Sequence, residues 1–357
     1  MTSLQRYCNE CIGRRLFPGC AIAFGRSNGI PRLLFAGHLT YEPDSPAVDA
    51  DTWFDLASLT KPIATATATL RAVEQQHLSL ETPLETFFPG IAVTKARLQH
   101  LLSHSSGLPA YVPFFETCSN GREVVERIVA AAPEYATGTR SVYSDLGFML
   151  LGRLLEMTFE RLFRAVISDL VLVPLELASV EFGPLPNPEG ERRIAPTELD
   201  PRSGTFLQGL VHDENARLFG GAAGHAGLFG TIEGVSRFAQ QILCTVTGRG
   251  RTLLPAPLLR AWTQRQPWLP DSSWGLGWDT PTPESSAGPS LSPRSFGHTG
   301  FTGTSVWIDP QQDFYVCILS NRVHPTRKTE GMKEARRTIN ALAASSLRGE
   351  IFHLFPS

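Results

Sequence analysis

The order of its strand-like and helix-like segments constrains this chain more than any other sequence feature. Apolar runs at 19–26 and 32–40 predict two strands joined by a short turn. Three more strand patterns follow one another at 295–320, near the other end of the chain. An antiparallel sheet built from both chain ends, 1–57 and 290–357, fits this order. We therefore expect an α+β fold.

Helical patterns fill the middle of the chain and also lie near its two ends. Apolar residues at helical spacing predict helices at 3–16, 58–74, 94–104, 122–132, 144–157, 159–172, 232–246, 256–264 and 331–347. The two terminal helices should flank the sheet. We expect one catalytic unit over 1–357, with a mostly helical subdomain at 62–175. Residues 179–230 are loop-rich, and the Pro- and Ser-rich segment 281–295 is predicted to be a surface loop.

Composition and charge exclude several classes of function. Hydrophobic residues make up 42% of the 357 residues, which is enough for a large core. The formal charge is −2, so the chain lacks the basic excess that nucleic acids or anionic membranes attract. We find no apolar run of the roughly 18 residues that a membrane span requires. We therefore expect a small-molecule substrate, with no nucleic-acid or membrane partner, and leave the oligomeric state open.

The N-terminal sequence and the cysteines indicate a compartment. The first twenty residues lack a basic start followed by an apolar run, so no secretory signal is visible. The six cysteines are too scattered for a disulfide framework. Cys8 and Cys11 lack a second Cys pair at zinc-ligand spacing and are interpreted as two thiols on one helical turn. The expected location is cytoplasmic, or periplasmic if the start is misassigned.

Ser58 and Lys61 form the first chemically informative pair. Three residues apart at the start of a predicted helix, they share one face and can touch. A serine hydroxyl becomes a good nucleophile when a base takes its proton, and a neutral lysine amine can be that base. Burial and a helix N-terminus both favour the neutral amine. Alone, the pair is equally compatible with a helix-start serine beside a solvated lysine.

Tyr143 and Asp145 precede a strongly apolar helix and could project from a loop into a cleft. As a phenolate, Tyr143 would be a strong proton acceptor if cationic neighbours depressed its pKa. The alternative is that Tyr143 packs its ring and Asp145 caps the helix.

The segment from Gly297 to Gly303 reads GHTGFTG, an unusual density of glycine for a strand. Glycine within a strand often marks the close approach of a ligand to the backbone. An exposed N–H here could act with the N–H of Ser58 to hold an oxyanion. The alternative is a flexible edge hairpin with an incidental histidine.

Together, S-x-x-K, Y-S-D and H-T-G occur in the order and coarse spacing of one family. The sequence resembles the serine β-lactamase and penicillin-binding protein superfamily, in particular the class C-like branch that includes esterases and DD-peptidases. The resemblance covers nearly the whole chain, including LQHLLSHSSGLP at 98–109 and WGLGWD at 274–279. It implies a β-lactamase/transpeptidase-like fold without metal or other cofactor.

The resemblance also implies roles for individual residues. Ser58 matches the nucleophile, Lys61 its proton partner, and Tyr143 the second base, which protonates the leaving group and activates water. Asp145, His298, Thr299 and Gly300 match substrate-contacting positions, and the N–H groups of Ser58 and Phe301 match the oxyanion hole.

Two positions depart from the family pattern. Asp145 stands where many relatives carry Asn, and an ionised carboxylate only accepts hydrogen bonds, so it favours a charged Lys61 or a donor-bearing substrate. His298 stands in place of the usual Lys. With an ordinary pKa near 6.5 it would be partly cationic at neutral pH. We therefore expect a weaker grip on a substrate carboxylate, although some DD-peptidases of the family also carry His here.

His212 and His225 lie in a region, 211–230, that resembles a subgroup related to low-molecular-weight DD-carboxypeptidases. Their spacing fits no standard metal-ligand pattern. We expect a wall of the cleft here and leave substrate contact by either histidine open.

The leading hypothesis is a serine hydrolase that acts through an acyl-enzyme on an ester, an amide or a short peptide, with carboxylesterase, DD-peptidase or β-lactamase-like activity. The alternatives are a non-catalytic or slow-turnover penicillin-binding sensor and an acyltransferase. Retention of Ser58, Lys61 and Tyr143 together favours an enzyme over a sensor.

Overall fold

A computed structural model describes residues 1–186, 192–201 and 203–354. Its strands are β1 (Gly19–Gly25), β2 (Arg32–Gly37), β3 (Phe54–Asp55), β4 (Val180–Phe182), β5 (Leu228–Gly230), β6 (Phe296–Thr299), β7 (Ser305–Asp309) and β8 (Phe314–Ser320). Its α-helices are α1 (Ser3–Gly13), α2 (Thr67–Glu74), α3 (Leu98–Leu102), α4 (Gly121–Val129), α5 (Asp145–Phe159), α6 (Phe163–Ile167), α7 (Glu214–Arg217), α8 (Ile232–Thr247), α9 (Ala256–Trp262) and α10 (Met332–Leu354).

The main sheet joins the two ends of the chain. Its strand order is β2-β1-β8-β7-β6, and every neighbouring pair is antiparallel. Cys20 of β1 faces Ala36 of β2 on one side and Ser320 of β8 on the other. The prediction of an α+β fold with a sheet made from both ends of the chain is confirmed.

Helices cover both faces of this sheet. Along β1, Cys20 and Ile22 face the core shared with α1 and α10, whereas Ala21 and Ala23 face the core shared with α8. All seven residues of β1 are buried. This two-sided burial explains why β1 is an uninterrupted apolar run instead of an alternating one.

Three of the predicted helices need correction. The predicted helix 58–74 is a 3₁₀ turn (Ala57–Leu59), then a π-helical segment (Lys61–Ala66), and only then α2. Of the predicted helix 94–104, only α3 is helical in the structure. The predicted helix 159–172 consists of α6 followed by a π-helical turn, Ser168–Leu172. Periodicity over a few residues does not separate α from 3₁₀ or π windings, whose spacings differ by one residue.

The loop-rich segment 179–230 contains a second, three-stranded sheet of order β3-β5-β4. Its strands are two or three residues long, too short for a period-2 pattern to reveal. Segment 281–295 contains no helix or strand, but Ala287 and Leu291 are buried against α10, so it is a packed loop rather than a purely superficial one.

Among the described residues, no helix is both long and apolar enough to cross a lipid bilayer.

Candidate active site

Ser58 lies on a tight turn between β3 and the π-helical segment. The carboxylate of Asp55 fixes this turn, accepting from the N–H of Ala57 at 2.8 Å and from the N–H of His212 at 2.7 Å. Ala57 adopts a φ of 47°, a left-handed conformation that is unfavourable for a side chain with Cβ. Such local strain is typical of functional sites.

Lys61 lies completely buried in front of Ser58. Its Nζ donates to Ser58 Oγ at 2.9 Å and to the carbonyl oxygen of His225 at 3.1 Å. It also forms an ion pair with Asp145 Oδ1 at 2.7 Å. Burial lowers the pKa of Lys61, but the charge of Asp145 and the hydrogen bonds to Asp145 and Tyr143 outweigh burial and raise it above its ordinary value. The resting lysine is therefore an ammonium ion, as the departure at Asp145 predicted.

The loop before α5 carries Tyr143 and Asp145 to this lysine. Ser144 caps α5 by accepting from the N–H of Gly147, so Asp145 does not cap the helix and its carboxylate reaches Lys61. The Tyr143 ring centre lies 4.9 Å from Lys61 Nζ. Burial raises the pKa of Tyr143, and hydrogen bonds to Lys61 and Ser58 offset that rise only in part. The condition for a phenolate, a pKa depressed by cationic neighbours, is not met in the resting protein, so Tyr143 is a neutral phenol.

Strand β6 brings His298 and Thr299 to the opposite side of the site. Beyond β6, the hydroxyls of Thr302 and Thr304 donate to the carbonyl oxygens of Asp55 at 2.7 Å and Leu56 at 3.0 Å. A Cβ on Gly300 would lie 2.7 Å from the Leu56 oxygen, so only glycine permits this approach. The turn after β6 is thus held against the Ser58 turn.

Arg336 of α10 fixes one peptide of this turn. Its guanidinium is buried and donates to the carbonyl oxygens of Gly300 at 2.8 Å and Thr304 at 3.0 Å. In a trans peptide the N–H points away from the C=O, so the N–H of Phe301 points away from Arg336. Within the part of the chain that the structure describes, the N–H groups of Ser58 and Phe301 have no acceptor. Both are available to an oxyanion.

His298 is uncharged. Its Nδ1–H donates to the carbonyl oxygen of Thr299 at 2.9 Å, which leaves Nε2 as an acceptor. Burial, with the charge of Lys61, lowers the pKa of His298 to about 3. The expectation of a partly cationic histidine is therefore wrong, because that expectation used the pKa of a solvated side chain.

An aromatic cluster surrounds the phenol. The ring centre of His104 lies 4.7 Å from Tyr143 and 4.5 Å from Trp274, and Trp274 lies 5.5 Å from His298. His104 Nδ1 accepts from the N–H of Ser144 at 3.1 Å, which ties the imidazole to the Tyr143 loop. Burial lowers the pKa of His104 well below its ordinary value, so a second neutral histidine adjoins the site.

His212 and His225 occupy different positions at the cleft. His225 is buried; its Nε2 lies 2.9 Å from Asp213 Oδ1 and its carbonyl oxygen accepts from Lys61. His212 lies 3.1 Å from Glu198 and packs its ring against Phe301. Each histidine is thus paired with its own carboxylate. Among the described residues, no three His, Cys, Asp or Glu side chains are grouped as metal ligands.

Three carboxylates lie around Tyr111, beside the site. Burial raises the pKa of the half-exposed Tyr111 to about 12, and the charges of Asp213, Glu214 and Asp145 add to this rise. Each of these carboxylates has its own partner: Asp145 pairs with Lys61, Asp213 with His225 and Glu214 with Arg327.

The structure brings together all the residues singled out in the sequence, namely Ser58, Lys61, Tyr143, Asp145, His298, Thr299, Gly300 and Phe301. Sequence reasoning missed Thr302, Thr304 and Arg336, because their contacts lie more than 30 residues away along the chain. His104 and Trp274 lie within segments that carried the resemblance, but no local signal assigned them a position.

Comparison with known proteins extends over the whole site. The sequence model of the β-lactamase family matches residues 5–341. The chain is 31% identical over 304 residues to N-acetylmuramyl-L-alanine amidase of Bacillus subtilis, which covers 76% of this chain and 68% of that one. It is 31% identical over 306 residues to a putative D-alanyl-D-alanine carboxypeptidase of Escherichia coli, and this match covers 76% of this chain and 70% of that one. The structure of a β-lactamase from Sulfitobacter superposes with a TM-score of 0.75 at 22% identity, covering 97% of both chains.

Proposed function

This chain belongs to the β-lactamase family, and we propose that it is a serine hydrolase that cleaves amides whose leaving group carries no free carboxylate beside the scissile bond. The observation that carries the catalytic part is the 2.9 Å contact between Ser58 Oγ and the buried amine of Lys61, next to two free backbone N–H groups. The neutral state of His298 supports the choice of substrate.

The proposed reaction begins when Lys61 loses a proton. The neutral amine then takes the proton of Ser58 Oγ as this oxygen attacks the substrate carbonyl carbon. The N–H groups of Ser58 and Phe301 hold the oxyanion that forms. Tyr143 passes a proton to the leaving nitrogen as the carbon–nitrogen bond breaks, which leaves an ester on Ser58.

Deacylation consumes one water molecule. Tyr143 accepts its proton while the hydroxyl oxygen attacks the ester carbon, and the proton returns through Lys61 to Ser58 Oγ. The net products are a carboxylic acid and an amine, and no cofactor is consumed.

The neutral state of His298 favours an amide within a molecule over a C-terminal D-Ala-D-Ala bond. A terminal carboxylate lies one residue from such a scissile bond and is bound more tightly when a cation lies near the third motif. Here His298 is neutral and presents an acceptor instead of a cation. The name of the amidase relative is consistent with this choice, whereas that of the carboxypeptidase relative is not.

A pair of peptides tests the proposal. We expect a carboxamide-capped N-acyl-D-Ala-D-Ala peptide, together with a muramyl-L-alanine amide, to be hydrolysed at least tenfold faster than the same peptide with a free carboxylate. Intact-protein mass spectrometry should detect an acyl adduct on Ser58. Ser58→Ala should abolish both adduct and turnover, whereas the exposed Ser119→Ala should leave both unchanged.

Three results would contradict parts of the proposal. Turnover by Ser58→Ala would remove Ser58 as the nucleophile. Faster cleavage of the free carboxylate would identify a carboxypeptidase. An adduct that persists for hours without product would favour the sensor.

A further inference from the structure

A large cavity lies at the end of β6 away from Ser58. It measures about 840 Å³, and its walls come from the end of α8, from α9 and from the beginning of β6. Ser295 and Phe296 line it, whereas Thr299 at the other end of β6 faces the candidate active site. At roughly 3.3 Å per strand residue, Phe296 and Thr299 are about 10 Å apart. None of the residues proposed for the reaction lines this cavity.

Four arginines line the cavity: Arg249, Arg260, Arg265 and Arg294. No Asp or Glu is among the described residues that line it. The whole chain has a net charge of −2, so this concentration of cations is local. A cleft lined by one sign of charge concentrates ions of the opposite sign.

Carboxylates neutralise only part of this charge. Arg249 forms an ion pair with Asp313 at 2.8 Å, and Asp279 lies near Arg265. Arg260 donates instead to the carbonyl oxygen of Val246 at 2.7 Å, which orients the guanidinium without cancelling its charge. Arg294 has no side-chain carboxylate within ion-pair distance in the described part of the chain. Two guanidinium groups are therefore available to an anionic ligand.

The volume of the cavity and the uncharged polar side chains that also line it narrow the class of ligand. The volume falls within the range of small-molecule sites and far exceeds the space that a single inorganic anion fills. Thr247, Thr263, Gln264 and Gln311 supply hydroxyl and amide groups for a hydroxylated body. The one aromatic residue of the lining, Phe296, is 1% exposed and offers no face for a nucleobase.

We propose that this cavity binds a phosphorylated sugar, with Arg260 and Arg294 on its phosphate groups and the threonines and glutamines on its hydroxyls. The planar guanidinium fork binds phosphate oxygens in pairs, which suits arginine better than lysine for this task. The site is separate from the hydrolytic chemistry, so binding does not depend on the proposed function.

Isothermal titration calorimetry on the full chain tests the proposal with three probes: fructose 1,6-bisphosphate, glucose and inorganic phosphate. We expect the bisphosphate to bind at least tenfold tighter than phosphate, and glucose to show no binding. The affinity for the bisphosphate should fall as salt rises. Arg260→Gln and Arg294→Gln should each weaken it at least tenfold.

Arg251→Gln is the matched control, because Arg251 is exposed, lies close in sequence to the cavity and pairs with Glu176 outside it. It should bind the bisphosphate like the unmodified chain. Since all three arginines are exposed, thermal unfolding should show that the variants remain folded. Equal affinities for phosphate and bisphosphate, unchanged binding by Arg260→Gln and Arg294→Gln, or an equal loss in Arg251→Gln would each overturn the proposal.

Discussion

At the scale of single residues, the contact between Lys61 and Asp145 decides the charge of the catalytic amine. Burial alone would favour the neutral lysine that a base requires, but a carboxylate at 2.7 Å opposes it. Relatives with Asn at this position lack that opposing charge. In the proposed reaction, Asp145 therefore makes the rate of acylation depend on pH.

Asp145→Asn should move the acid limb of kcat/KM to lower pH by at least one unit. The substitution removes the charge and the hydrogen bond that raise the pKa of Lys61, so burial then dominates and lowers it. More of the amine is neutral at pH 7, and we expect kcat/KM there to rise about tenfold. The pH profile of p-nitrophenyl ester hydrolysis measures both effects.

Asp169→Asn is the control for this experiment, because Asp169 is half-exposed and pairs with Arg161 far from the site. Its pH profile should match that of the unmodified chain. An unchanged acid limb in Asp145→Asn would show that Lys61 is not the base and would point to Tyr143.

At the scale of elements, the turn between β6 and β7 is held from two sides. Thr302 and Thr304 tie it to the Ser58 turn, and Arg336 ties it to α10. The backbone of the turn keeps its own hydrogen bonds, since Gly300 and Thr304 also pair with each other and Gly303 with Gly300. Arg336 is therefore a positioning residue whose loss should not unfold the turn.

Arg336→Met should lower kcat/KM about 100-fold with little change in KM. Without the guanidinium, only the N–H of Gly303 holds the Gly300 carbonyl oxygen, so the Gly300–Phe301 peptide is less firmly oriented and its N–H meets the oxyanion less well. The affinity for a boronate transition-state analogue should fall by a similar factor. Steady-state kinetics and inhibitor titration measure the two quantities.

The neighbouring Arg337→Met provides a matched control on the same helix. Arg337 donates to the carbonyl oxygens of Pro283 and Ser285, so its loss disturbs the packed loop instead of the turn. We expect kcat/KM within about threefold of the unmodified value. Boronate binding that is equally weak in both variants would indicate a general loss of structure and contradict the positioning role.

At the scale of the whole molecule, two buried neutral histidines link stability to pH. His104 and His298 have a native pKa below that of the unfolded chain, which is near 6.5. The unfolded chain therefore takes up protons first as the pH falls. Stability from these groups is complete above pH 6.5 and is lost as the pH falls toward the native value, about 3 for His298.

We expect the free energy of unfolding of the His298→Gln variant to depend less steeply on pH. Each buried neutral histidine contributes a slope of about 1.4 kcal/mol per pH unit between these two pKa values. Removing His298 should lower the slope near pH 5 by about that amount. Urea unfolding at pH 5, 6 and 7 provides the measurement.

His77→Gln serves as the comparison, since it removes an imidazole that is already exposed to solvent. The pH dependence of its free energy of unfolding should stay close to that of the unmodified chain. An unchanged slope in His298→Gln would mean that His298 is protonated in the native protein, which would also weaken the argument about substrate charge.

Much of the fold and of the site was predictable from local sequence. The strands at both ends, the long helices α5 and α8, and the pairing of Ser58 with Lys61 depend on residues that are close along the chain. The short strands β3 to β5 and the 3₁₀ and π-helical segments around Lys61 were not predictable from local sequence. Two to six residues carry too little periodicity to identify such elements.

The sequence by itself determined the order of the elements and the chemical types available: a hydroxyl, an amine, a phenol and an imidazole. Only the tertiary structure decided which of them are charged, because a pKa depends on burial and on partners from distant segments. It made His298 neutral and paired Lys61 with Asp145. It also placed Arg336 so that its guanidinium donates to the carbonyl oxygen of the Gly300–Phe301 peptide. It also brought four arginines from separate segments to the walls of one cavity.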